Sequence, residues 1–436
     1  MRKCLFAAAM YIVLAASIAC AADIHVDSAA AAGGNGSAST PYNTFALGLA
    51  AAGNGDTIRV HGGTGQTYSD YPYTVWQTNL TVAAAGPGRP LFSVTAAAIP
   101  GNSAVFLVSA PGFRVSGTDF YGTPTKCSTE NSAIIWFLKG SENAIIENSR
   151  FNWSTENTVK MGSDVRGDDS ATNVVVRNNI FTNHRSQYAN GTVINLGNYA
   201  QAVGNVFTNM HTAINLGNYG VVLSNTVVNS NSAKGALLNG GYNRNRSALI
   251  AFNTVVQSNG GNNPAIYKSR ECLTALVSSA PTRIYNNTVV GSANFIQCSN
   301  SDISGSAWAP VIVNNIAICT STNIVDISPT IHANNNGGQT IFNAGTIIQN
   351  NILTSGLGVI FENRVTLLCA TNVHDNLSRL VAFRDASTPT SDRYLVPTFA
   401  EKPYIDDAYG TPANGYPRFI GAKPAYIPPG TCIVIQ

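Results

Sequence analysis

Ten short segments of this chain line up on one column about once every 29 residues, and the six strongest carry asparagine there. The six are Asn148-Ser-Arg-Phe151, Asn178-Asn-Ile-Phe181, Asn225-Thr-Val-Val228, Asn253-Thr-Val-Val256, Asn287-Thr-Val-Val290 and Asn350-Asn-Ile-Leu353. Weaker copies place Gly117, Gly204, Asn314 and Asp375 in the same column. Successive steps are 31, 30, 26, 21, 28, 34, 27, 36 and 25 residues, so the repeat is elastic. Self-similarity of this length marks a solenoid, in which each repeat packs only on its neighbours.

The flanks say which solenoid. Two positions before the column stand Val115, Ile146, Val176, Ala202, Leu223, Ala251, Ile312, Ile348 and Val373. Two after it stand Ile180, Val206, Val227, Val255, Val289, Ile316, Ile352 and Leu377. Apolar residues spaced by twos in runs of three to five predict short strands with one buried face. No segment between them keeps a helical period. Asparagines repeated at one bend can stack and hydrogen-bond along the axis, as in cross-β ladders. The expectation is an all-β chain, a right-handed parallel β-helix of about ten coils, each rising about 4.8 Å. The near-duplicates Ile194-Asn-Leu-Gly-Asn-Tyr199 and Ile214-Asn-Leu-Gly-Asn-Tyr219 read as two minimal coils in direct contact.

Composition excludes several alternatives. Charged residues make up 11% of the chain and hydrophobic residues 44%, with a net charge of +3. That is too apolar for disorder, and too weakly charged to argue for nucleic-acid or membrane-surface binding. The unbroken repeat favours one domain and a monomer.

The two ends differ from the middle. Residues 1–22 read as an export signal: Arg2 and Lys3, an apolar run from Leu5 to Ile18, then small residues. A secreted or periplasmic protein follows, with lipid anchoring through Cys20 as the alternative. The apolar run is too short to predict a transmembrane span, and no later one competes. Residues 23–56 are expected to cap the solenoid and 57–378 to form it. Residues 379–436, with eight prolines, are expected to form an irregular extension. Cys272 and Cys298 fall nearly in phase on consecutive coils, which permits a disulfide or two buried thiols.

The series Ile24-His-Val-Asp27, Gly33-Gly-Asn-Gly36, Thr40-Pro-Tyr-Asn-Thr-Phe45 and Gly55-Asp-Thr-Ile-Arg-Val60 resembles the N-terminal cap of exported β-helix proteins of the pectate-lyase-like superfamily. That resemblance implies a strand, a Gly-rich turn and a short helix opening near Thr44. Ala265-Ile-Tyr-Lys-Ser269, followed by Asn286-Asn-Thr288, is similar to a stretch of the chondroitinase B and alginate lyase family, whose lysine is the base. It implies that Lys268 abstracts a proton. The family's Arg-His-Gly one coil later is replaced by Phe295-Ile-Gln-Cys298, and its calcium-binding glutamates have no counterpart before Lys268.

Charge points to the middle coils. Lys160 to Glu271 holds thirteen charged residues, whereas Cys272 to Phe361 holds only Arg283, Asp302 and Asp326. The segments Val159-Lys-Met161, Ile194-Asn-Leu196 and Ile214-Asn-Leu216 suggest strands with one outward polar residue each. Lys160, Asn195, Asn215, Asn239 and Lys268 are then expected to form an outward stripe. Charged loops at Asp164–Asn173, Gly241–Ser247 and Arg270–Pro281 would flank it. Such a trough suits an extended polysaccharide, with Tyr199, Tyr219 and Tyr242 offering ring faces and His184 and Arg185 at its margin. Uronic-acid glycans break by β-elimination when a cation neutralises the carboxylate and a base removes the adjacent proton. Lys268 is the expected base, with Arg270 or Arg244 as the cation. Asp164, Asp168 and Asp169 are expected to hold Ca2+, or only to solubilise a loop. Two alternatives stand beside the lyase. One is a glycoside hydrolase using a pair such as Asp164 with Asp168 or Asp169; the other is a glycan-binding or spacer protein without catalysis.

Overall fold

The computed structural model describes residues 21–94, 99, 103–122, 132–154, 163–184, 192–210, 212–230, 248–257, 266–269, 283–292, 295–299, 311–313, 315–319, 325–327, 347–349, 352–355, 382–383 and 397–398. The chain winds as a right-handed parallel β-helix, each turn adding strands to three parallel sheets. A twelve-stranded sheet runs from Asp23–Val26 and Thr57–Val60 through Ile145–Glu147 and Val175–Arg177 to Ile347–Gln349. An eleven-stranded sheet runs from Thr67–Tyr68 through Arg150–Trp153 and Ile180–Thr182 to Ile352–Ser355. The third has six strands: Tyr73–Val75, Ala104–Val108, Ala133–Phe137, Ser163–Gly167, Thr192–Asn195 and Thr212–Asn215. A three-stranded sheet further along joins Ile266–Ser269, Ile296–Ser299 and Val325–Ile327.

The bend between the two largest sheets carries the repeat, in a phase that differs from the one read by residue type. A buried ladder runs Asn179, Asn205, Asn225, Asn253, Asn287 and Asn315, each amide Nδ2 donating to the next Oδ1 at 2.9–3.0 Å. Backbone N–H groups of the same residues donate to the same oxygens. The second hydrogen on each Nδ2 goes to a carbonyl on an earlier strand, such as Val176 O for Asn205. Every donor is therefore answered inside a dry bend. Ser149 begins this series, its N–H donating to Asn179 Oδ1.

Asn148, Asn178 and Gly204 stand one residue earlier, where the backbone is left-handed: φ is 52°, 55° and 65°. Ser224, Phe252 and Asn286 occupy the same place in later turns, at 55°, 56° and 51°. Two adjacent positions thus favour asparagine for different reasons, one for its tolerance of positive φ and one for its amide. Alignment on Asn alone mixed them. The registers Ala202↔Val222 and Val222↔Ile250 consequently put Val222 and Ile250 in the interior column in place of Leu223 and Ala251. After the bend, Phe181 and Phe207 face inward rather than Ile180 and Val206. Ala317 is fully buried and pairs in register with Leu353. Val373 and Leu377 lie outside the described residues.

Aromatic rings form a second ladder on the inward side of the next strand. Phe120, Phe151, Phe181 and Phe207 stack face to face with centroids 4.6–5.0 Å apart, continuing the stack of Phe92 on Phe120 at 5.5 Å. At the start of the solenoid the helix Phe45–Ala51 opens after Thr44, whose Oγ1 accepts from Leu47 N. Phe45 buries its ring against Tyr73, Phe92 and Phe106. Of residues 379–436, only the antiparallel pair Ala382–Phe383 and Pro397–Thr398 is described. Among the described residues no helix is long and apolar enough to cross a membrane.

Candidate functional site

The outward face of the six-stranded sheet gathers the polar stripe. Registers place Leu107, Trp136, Arg166, Asn195 and Asn215 side by side on successive turns. Their inward neighbours Phe106, Ile135, Val165, Ile194 and Ile214 are all fully buried. Asn195 and Asn215 are in register as the sequence pattern expects, but only Asn195 is part-exposed; Asn215 is buried, its Nδ2 donating to Asn195 Oδ1 at 2.9 Å.

Arg166, not Lys160, is opposite Asn195. The strand on that turn is Ser163–Gly167, several residues beyond Val159-Lys-Met161. Sequence pattern hid it because glycine occupies an inward position: a Cβ on Gly167 would lie 3.1 Å from Leu196 Cδ2. Lys160 itself lies outside the described residues. The Arg166 guanidinium sits 4.4 Å from the Trp136 ring centroid, a cation–π contact, and Trp136 Nε1 donates to Asp168 Oδ1 at 3.0 Å. The three side chains form one connected patch.

At the end of this face the chain turns through Gly197-Asn198-Tyr199 and Gly217-Asn218-Tyr219. Both tyrosines are left-handed, with φ of 59° and 60°. Their rings stack at 4.8 Å and 8°, and they are 49% and 39% exposed. The stack needs the turns in contact: a Cβ on Gly217 would lie 2.5 Å from Gly197 C. Leu196 N donates to Asn215 O and Tyr199 N to Asn218 O, so the 20-residue coils do stack directly.

The aspartates expected to share a cation are separated. Asp164 belongs to the strand and not to a raised loop. It is fully buried in the column Val105, Ile134, Asp164, Val193, Ala213, otherwise wholly apolar. Its Oδ1 accepts from Trp153 Nε1 at 2.7 Å and lies 3.0 Å from His184 Nδ1. His184 is fully buried too, so it is no surface contact for a substrate. Asp164 Oδ2 and His184 Nε2 have no hydrogen-bond partner. Asp168 and Asp169 lie beyond the strand, on the turn, with Asp168 half-buried and Asp169 exposed. Among the described residues no three His, Cys, Asp or Glu side chains converge as a metal site.

Lys268 lies on Ile266–Ser269, in register with Cys298. The sequence phase had put Cys272 near Cys298; the observed pairing sets Lys268 there, and Cys272 is outside the described residues. Counting turns along the largest sheet, Lys268 is four turns beyond Arg166, about 19 Å at one interstrand spacing per turn. Arg185, Asn239, Tyr242, Arg244 and Arg270 also lie outside the described residues.

No protein-family model matches the chain, and no curated protein is significantly similar to it. Among solved structures it is similar to a rhamnogalacturonan lyase, with 13% identity and a TM-score of 0.48, over 77% of this chain and 87% of that one. It is similar to pectate lyase Pel9A, with 15% identity and a TM-score of 0.45, over 94% and 98%. A PL6 alginate lyase in complex with a trisaccharide gives 13% and 0.45, over 89% and 93%. At these values the likeness transfers no residue role; the parallel β-helix rests on the strand registers themselves.

Proposed function

We propose that this protein is an exported polysaccharide lyase that binds an acidic glycan along the outer face of the six-stranded sheet and cleaves it by β-elimination. The observation that carries this reading is the register Trp136, Arg166, Asn195, Asn215, with the exposed Tyr199–Tyr219 stack at its end. A cation stacked on an indole, the Asn195 amide and two tyrosine faces are the donors and flat apolar surfaces that an anionic sugar chain uses. The chain would lie across successive turns, one subsite after another.

Elimination needs a base for the proton beside the carboxylate. As that C–H breaks, its electrons form a carbon–carbon double bond, the β C–O bond breaks, and an acid protonates the leaving oxygen. Lys268 remains the proposed base, with Arg270 or Arg244 as the cation at the reacting sugar. Arg166 is too many turns away to serve that sugar and is assigned to a remote subsite, where its binding energy positions the chain. Ca2+, if used, would need Asp168 or Asp169 without Asp164, whose Oδ1 is already shared by Trp153 and His184. Hydrolysis is disfavoured because it needs two carboxylates across the scissile bond, and the Asp164 carboxylate is fully buried. Pectin, alginate and glycosaminoglycans should be offered to the protein and to Lys268→Ala, following ultraviolet absorbance of the unsaturated uronide. Wild-type product that vanishes in the variant supports the assignment. Reducing sugar without that absorbance would indicate a hydrolase, and binding without either product a lectin-like role.

A further inference from the structure

We propose that His25 and His61 form a two-imidazole site for a divalent transition-metal ion, which clips the first strand of the twelve-stranded sheet to its neighbour. Asp23–Val26 pairs with Thr57–Val60 in register His25↔Arg59, and His61 N continues the ladder by donating to Val26 O at 2.8 Å. His25 and His61 are therefore diagonal neighbours on one face of the pair. The alternate residues Ile24, Val26, Ile58 and Val60 fill the interior. His25 Nδ1 and His61 Nε2 share a hydrogen bond at 3.2 Å, with the rings tilted by 51°, so an ion held by both would displace the shared proton. An ion at an ordinary metal–imidazole distance from both nitrogens would subtend about 100°, between square-planar and tetrahedral values.

The face around them carries both signs of charge, with Arg59 directly opposite His25. The same face carries Asp23, paired with Arg59 Nε at 3.0 Å. It also carries Asp27, whose Oδ1 accepts from Gln66 Nε2 and Ala29 N. Both rings are only half-buried, so an ion can reach them and water can complete its shell. Imidazole pairs select Cu2+, Ni2+ or Zn2+; Ca2+ and Mg2+ prefer oxygen.

The consequence is mechanical. Asp23–Val26 is the terminal strand of its sheet, paired with Thr57–Val60 on one edge and covered on the other only by a short bridge to Gly36 and Tyr42, and terminal strands open first. An ion that binds only when both histidines are in place raises the stability of the folded form. The full chain should be titrated with Cu2+ by calorimetry and melted with and without it. One equivalent should bind and raise Tm, whereas Ca2+ and Mg2+ should not. His25→Ala and His61→Ala should each lose about tenfold or more in Cu2+ affinity. His61→Gln, which keeps a polar side chain at that position, should lose as much. His61→Ala also leaves His25 and the chain start intact, so it separates the pair from His25 acting with nearby backbone nitrogens. Absence of Cu2+ binding, or affinity unchanged in both alanine variants, overturns the proposal.

Discussion

Two buried polar systems lie on different sides of this solenoid, and they are built differently. The asparagine ladder from Asn179 to Asn315 repeats one motif on every turn and leaves no amide unanswered. The cluster Trp153–Asp164–His184 occurs once, interrupts an apolar column, and leaves two polar atoms unpaired. The ladder is explained by folding alone, because a tight bend needs its carbonyls and N–H groups capped without water. Asp164 is not: Ile134 and Val193 fill the same column on the adjoining turns without charge. Its place two residues before Arg166 on the same strand connects it with the candidate site, where local rules of packing are most often broken.

Substitutions can break or sharpen that contrast. The largest effect is expected from Asp164→Ala, which leaves Trp153 Nε1 and His184 without their acceptor inside the core. Removing one partner of a buried pair typically costs about 3–5 kcal/mol, measurable by urea unfolding. The double variant Asp164→Val with His184→Leu should recover most of that loss, since it restores the column's apolar character. No recovery would mean the pair supports the fold itself. Asn253→Ala should cost slightly less, about 3 kcal/mol, because two donors of Asn225 lose their acceptor. Here no apolar replacement should rescue, as the bend's backbone groups remain.

Glu147 gives a smaller, pH-dependent effect. Burial acts to raise its pKa, but the guanidiniums of Arg114 and Arg177 outweigh burial and hold it below the usual carboxylate range. A carboxyl depressed on folding stabilises the protein above its unfolded pKa, and that contribution disappears as pH falls through the folded value. Glu147→Gln should therefore lose about 1 kcal/mol at neutral pH, both arginines being substantially exposed, and converge with wild type in acid. A difference that persists in acid would assign the effect to packing. Tyr199→Ala should change stability least, yet weaken glycan binding by about 1 kcal/mol through lost ring stacking.

The repeat, the strand faces and the short double coil were legible because each is periodic in sequence. Phase was less legible: Asn178-Asn179 and Asn286-Asn287 offer two asparagines where one tolerates positive φ and the other joins the ladder. The stacked Phe120, Phe151, Phe181 and Phe207 did carry a signal, steps of 31, 30 and 26 residues, that alignment on asparagine obscured. Asn195, Asn215, Tyr199 and Tyr219 were found because their two turns are near-copies. Arg166 was missed because Gly167 breaks the apolar alternation beside it. The burial of Asp164 has no local signature at all, since its partners are 11 and 20 residues away and meet it only through the winding of the chain.

The most direct test of the glycan-binding face is the steady-state kinetics of Arg166→Ala on whichever acidic polysaccharide the wild-type protein cleaves. A rise in KM of about tenfold, shrinking at high salt while unsaturated product still forms, is expected of a remote subsite cation. Unchanged KM, or cleavage confined to neutral glycans, would contradict the assignment of this face.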